Sequence, residues 1–104
     1  MKIQRYMTKG IQENLPIQLQ FALWELQMNL RATEKDIDYL QVYRLSTIVK
    51  DSKTFQVIHH EAEKPKYSAV YCLEAEISVK DKIYIITDNY EDSLVETMLF
   101  ASEY

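Results

Sequence analysis

The chain has 104 residues, 47% of them hydrophobic and 27% charged. That length and balance suit one globular domain with a core of its own and exclude a wholly disordered chain. A single glycine excludes the glycine-rich cradles that bind nucleotide phosphates, and a single cysteine, Cys72, excludes an internal disulfide and suits a reducing cytoplasm.

The formal charge of −4 is unevenly placed. Residues 1–10 carry Lys2, Arg5 and Lys9 and no acid, whereas residues 83–104 carry Asp88, Glu91, Asp92, Glu96 and Glu103 and no base. An acidic chain lacks the basic footprint behind most nucleic-acid affinity, so direct nucleic-acid binding is not expected. Attraction to a basic protein groove competes with the blander reading of a solvated acidic face. The opening "MKIQRYMTKG" has no apolar stretch behind it, so it does not read as a secretion signal. No apolar run reaches the roughly 18 residues of a membrane span, and a cytoplasmic location is expected.

In chain order, "IQRYMTKGI" reads as a first strand that stops in a turn at Gly10. Asn14, as N-cap, and Pro16 mark a helix start. The segment "LPIQLQFALWELQMNLR" (15–31) begins with strict alternation, which breaks at Phe21-Ala22-Leu23-Trp24. It is too long for one strand and rich in helix formers, so a helix is predicted. At about 100° per residue, Leu15, Leu19, Ala22, Leu23, Leu26 and Leu30 form one apolar stripe. Ile17, Phe21, Trp24 and Met28 form a second on the opposite side, with Gln20, Gln27 and Arg31 on one polar divide and Gln18, Glu25 and Asn29 on the other.

After the polar "TEKD", the segments 37–45 and 54–60 read as a hairpin around "KDSK", and "EKPK" (63–66) as a loop. Residues 67–79 alternate as a half-buried strand, and "KIYIIT" (82–87) reads as a central one. After the acidic turn "DNYED", residues 94–104 are read as a last strand, with a short helix as the alternative. The sum is a single α+β domain over residues 1–104. One main amphipathic helix packs on an antiparallel sheet of about four to six strands, in two layers.

No motif spells out a chemistry. His59 and His60 are neighbours in a strand, point to opposite faces and cannot chelate one ion. Cys72 lacks a nearby partner in sequence and reads as a small core residue. Glu74 and Glu76 share a strand face, where two solvated glutamates are the ordinary explanation of an apparent carboxylate pair. Tyr39 with Tyr43, and Tyr67 with Tyr71, fall on common faces and read equally as binding surface or as aromatic packing. No catalytic residue, metal or cofactor is expected.

The segments "RYMTKGI", "LPIQLQFALWEL", "DYLQVYRL", "VIHH", "KIYIITD" and "TMLFASEY" resemble, in order and spacing, a small family of low-GC Gram-positive bacteria catalogued only as a domain of unknown function. The resemblance covers nearly the whole chain. The stretch "DNYEDSLVE" departs from it, being longer and more acidic than the tight turn expected there. What the resemblance implies is a short α+β domain without known activity, whose relatives travel on phages and integrative elements. It further implies kinship with small anti-CRISPR proteins that block the type II RNA-guided nuclease.

The functional expectation is a non-enzymatic, protein-binding inhibitor of such a nuclease, obstructing guide-RNA loading or target-DNA engagement. The competing expectation is a host-encoded adaptor with an endogenous partner. In both, Ile17, Phe21, Trp24 and Met28 are the candidate partner surface or homodimer seam, unless the C-terminal segment folds over them and makes them core. Asp88, Glu91 and Asp92 are the candidate acidic contacts.

Overall fold

A computed structural model describes residues 2–104. Strand β1 (Lys2–Met7) leads through a short helix, α1 (Lys9–Asn14), into the long helix α2 (Ile17–Thr33). Five strands follow: β2 (Leu40–Lys50), β3 (Lys53–Glu63), β4 (Lys66–Glu74), β5 (Asp81–Asn89) and β6 (Ser93–Phe100). A 3-10 turn, Ala101–Glu103, comes after β6. The six strands form one sheet in the order β1-β6-β5-β2-β3-β4, antiparallel except where β1 runs parallel to β6. The fold is α+β, with α2 across one face of the sheet. The expected architecture holds, and the strand read over 94–104 is present as β6, although residues 101–103 form the 3-10 turn instead.

Several boundaries differ from the sequence reading. Gly10 is inside α1, not a turn that ends a strand. The reason lies in the tertiary structure: a Cβ at Gly10 would sit 2.6 Å from Oε2 of Glu103. Glu103 is held there because its Oε1 accepts from the Thr8 hydroxyl at 2.9 Å and from the Phe100 N–H at 2.8 Å. Thr8 also caps α1, its hydroxyl oxygen accepting from the Ile11 N–H. Asn14 is therefore the end of α1 rather than the cap of α2, which starts after Pro16.

The long strand read over 67–79 stops at Glu74, so Glu76 shares no strand face with it. Residues 75–80 instead pass across the ends of β3 and β2. They are tied down by Gln56, whose amide nitrogen donates to the Val79 carbonyl while its oxygen accepts from the Val79 N–H. The β2–β3 turn is Asp51-Ser52, both at positive φ, as a two-residue hairpin requires.

The core lies between α2 and the sheet. Leu19 and Leu23 of α2, with Ile11 and Leu15 before it, are buried against Tyr43, Leu45, Ile58, Ile83, Ile85, Met98 and Phe100, and Leu30 is buried further along the same side of the helix. Leu26 packs against this cluster partly buried, so the inner stripe lies on the sheet as read from the sequence. Burial of each such leucine stabilises the fold by roughly 1.5–3 kcal/mol.

Candidate functional site

The two α2 stripes have different fates. Ile17, Phe21 and Met28 of the outer stripe stand 58%, 67% and 43% exposed, one per turn or two along the outside of the helix. The C-terminal segment does not cover them, because it is consumed as β6 within the sheet. Trp24 differs from them, being partly buried and packed against the core. Next to Pro16, Gln18 and Leu19, the N-terminal end of α2 and the 73–77 segment enclose an open groove of about 410 Å³. Its floor includes Leu19, its walls Leu73 and Ile77, and its rim Glu74 and Glu76. Ile77 is 79% exposed, and the helix contributes Pro16, Gln18 and Leu19 to this groove rather than the outer-stripe residues.

The polar divide read at Gln20, Gln27 and Arg31 turns inward instead. Gln20 and Gln27 are buried. The Gln20 amide donates to the Ile11 and Leu15 carbonyls at 3.2 and 2.7 Å, which locks α1 to α2. Gln27 donates to Glu96 at 2.7 Å and accepts from the Tyr43 hydroxyl at 2.6 Å. The buried Glu96 carboxylate also takes Nε of Arg5 at 2.9 Å and Nε of Arg31 at 2.6 Å. Burial, and then the nearby Glu96 charge, push the Tyr43 hydroxyl well above the usual phenol range. This cluster is a satisfied structural ion pair, and it was invisible in the sequence because its members lie on β1, α2, β2 and β6.

The same pairing corrects the charge map. Parallel β1–β6 pairing lays the basic N-terminal strand against the acidic C-terminal one: Lys2 lies opposite Ser93, its N–H reaching the Asp92 carbonyl, and Arg5 opposes Glu96. Glu96 and Glu103 are thus engaged internally. Asp88, Glu91 and Asp92 remain exposed at the β5–β6 connection. That turn sits toward the C-terminal end of α2, where Arg31 donates to Thr87 at 2.8 Å. It does not border the groove.

His60 and His59 diverge. His60 is buried, stacked on Tyr43 at 4.1 Å and 4.8 Å from Tyr67, with Nε2 2.7 Å from Gln41 Oε1. Burial, reinforced by His59, lowers its pKa to about 4, so it is neutral near pH 7. Its Nδ1 is buried without a partner. His59, on the opposite face, meets Ser68 at 3.0 Å. Tyr67 and Tyr71 do share a face, their hydroxyls 3.5 Å apart, and this contact and burial push Tyr67 up to about 12. Tyr39 precedes β2 and is exposed, so it shares no strand face with the buried Tyr43. Cys72, read as core, is exposed on β4, because β4 is an edge strand and its outward face lacks a covering layer. Among the described residues no three His, Cys, Asp or Glu side chains gather to hold a metal, and no helix is long and apolar enough to cross a membrane.

Comparison with known proteins agrees with this fold. Residues 4–103 match the family described as "Staphylococcal protein of unknown function (DUF960)", and the chain belongs to that family. A crystal structure of a protein of unknown function from Enterococcus faecalis is similar, at a TM-score of 0.66 and 21% identity. The match covers 97% of this chain and 90% of that one, and it shows the shared fold. No curated protein matches.

Proposed function

We propose that this domain acts by binding another protein, without catalysis, through the outer stripe of α2 and the groove beside it. The observation that carries this reading is the line of Ile17, Phe21 and Met28, exposed along the outside of one helix. Scattered exposed apolar residues need no explanation, but a contiguous run is where a partner docks. Glu74 and Glu76 at the groove's rim suit a partner with an apolar anchor flanked by basic residues. Asp88, Glu91 and Asp92 add long-range attraction to a basic partner, acting on association rate more than on affinity.

In its finer form the proposal takes that partner to be the type II RNA-guided nuclease, whose guide loading or DNA engagement the domain obstructs. Support for this form comes from the family resemblance and the acidic balance. A housekeeping adaptor bound to an endogenous partner uses the same surface. A cleavage assay with purified nuclease, guide and target DNA separates them, with the protein added before or after the guide. Inhibition that Phe21→Ser abolishes is the expected result. Undiminished cleavage at large molar excess, across several orthologous nucleases, overturns the inhibitor form. Loss of every captured partner's dependence on Phe21 overturns the surface itself.

A further inference from the structure

The two edges of the sheet are treated differently. β1 is six residues long and carries Lys2 and Arg5, charges that discourage another strand from adding alongside. β4 is nine residues long, and its residues 67–73, Tyr-Ser-Ala-Val-Tyr-Cys-Leu, hold no charge and no proline. Its register with β3 runs unbroken from Phe55 opposite Glu74 to Glu63 opposite Lys66, so no bulge twists the edge away. Among the described residues no segment pairs with its outer side. Val70, at the strand's midpoint, is 61% exposed. Such an edge presents a free row of backbone donors and acceptors, which natural sheets normally block.

We propose that β4 pairs antiparallel with β4 of a second copy of this chain, about a two-fold axis at Val70. The sequence of β4 is self-complementary in that register. Lys66 of one copy falls opposite Glu74 of the other, and symmetry makes this charge pair twice. Tyr67 falls opposite Leu73, Ala69 opposite Tyr71 and Ser68 opposite Cys72, while Val70 meets its own counterpart. Each opposed pair lies on one face of the sheet, as antiparallel pairing demands. Shifting the axis by one residue in either direction leaves Lys66 without an acid on the partner's β4. Opposite charges directly across a ladder stabilise pairing, and like charges destabilise it. The product is a closed two-fold dimer with a continuous sheet of twelve strands and both α2 helices on the same side. The inference does not depend on how the outer stripe of α2 is used, although Leu73 and Glu74 belong both to this seam and to the groove beside the helix.

Sedimentation of the full chain over a wide concentration range reads the association directly, and we expect a reversible monomer–dimer equilibrium. Lys66→Glu places two like-charge pairs in the seam and weakens the dimer about tenfold or more. The double variant Lys66→Glu/Glu74→Lys restores it, which general surface-charge effects would not do. Ser68→Cys sets a new thiol across from the native Cys72, so mild oxidation yields a dimer linked by two disulfides. All three residues are exposed on the monomer, but Lys66 lies opposite Glu63 and Glu74 is 3.8 Å from Lys53, so circular dichroism and urea unfolding of each variant separate a loosened β3–β4 hairpin from a lost seam. A chain that stays monomeric at every concentration overturns the proposal, even if a partner protein's strand then occupies the edge. A dimer indifferent to Lys66→Glu, or one that Ser68→Cys does not cross-link, overturns it as well.

Discussion

Helix α2 carries two apolar stripes, and they behave as two different materials. The inner one, Leu19, Leu23 and Leu30, is buried, while the outer one keeps Ile17, Phe21 and Met28 in water. Greasiness does not separate them, for the outer stripe holds the larger side chains. What separates them is the company each keeps. The inner stripe is flanked by Gln20 and Gln27, which spend their amides on the Ile11 and Leu15 carbonyls, on Tyr43 and on Glu96. Those fixed polar contacts set the rotation of the helix. A half-turn rotation would bury Phe21 but strand the Glu96 carboxylate without Gln27 and Arg31, at a cost of several kcal/mol.

If the buried polar cluster orients the helix, breaking it should cost most. Glu96→Ala removes the acceptor shared by Arg5, Arg31 and Gln27 and is expected to destabilise the fold by about 3–5 kcal/mol in urea unfolding. Leu23→Ala, in the fully buried stripe, should cost about 2–4 kcal/mol, depending on how far the cavity collapses. A loss under about 1 kcal/mol in either variant would contradict the inner side being the packed one.

His60 sharpens the comparison through pH. Its folded pKa of about 4 lies below the ordinary 6.5 because burial disfavours the charged ring. Between those values the unfolded chain binds a proton that the folded chain refuses. Stability therefore falls as pH drops through that window, with a slope approaching about 1.4 kcal/mol per pH unit. Unfolding at several pH values tests this, and the slope should flatten in His60→Asn. Exposed His59 supplies the contrast, since His59→Asn should leave most of the slope in place.

Much of the fold was legible in the sequence, for identifiable reasons. The period of 3.6 in residues 15–31 and the β-branched, aromatic runs after it reported α2 and the strands, because local pattern and tertiary burial agree there. The misread parts are those where a distant residue decides. Gly10 is explained only by Glu103, and the inward turn of Gln27 only by Glu96 and Tyr43. Cys72 was placed in the core on residue type alone, whereas the alternation of β4 itself sets it with Ser68 and Val70 on the exposed face. The opposed charges of the two chain ends meet because β1 pairs with β6, a contact between the first and last strands that no local signal announces. Of the candidate site, the outer stripe was legible from periodicity, whereas the groove at Leu73 and Ile77 required the 75–80 crossing.

The outer stripe should give the smallest stability effect. Phe21→Ser is expected to change unfolding free energy by no more than about 0.5 kcal/mol, as exposed positions usually do. Trp24→Ala is the less clean variant: an anchoring role would cost binding about 2 kcal/mol or more. Its contact with the core, however, makes it cost stability too.

The most direct test of the central claim pairs two readings on Phe21→Ser: unfolding in urea, and partner capture from a cognate lysate quantified against the unmodified chain. The account predicts unchanged unfolding together with loss of one reproducibly captured protein, by tenfold or more if Phe21 is a hot spot worth about 2 kcal/mol. Equal capture by both chains, or a large drop in stability on replacing this exposed ring, would contradict it.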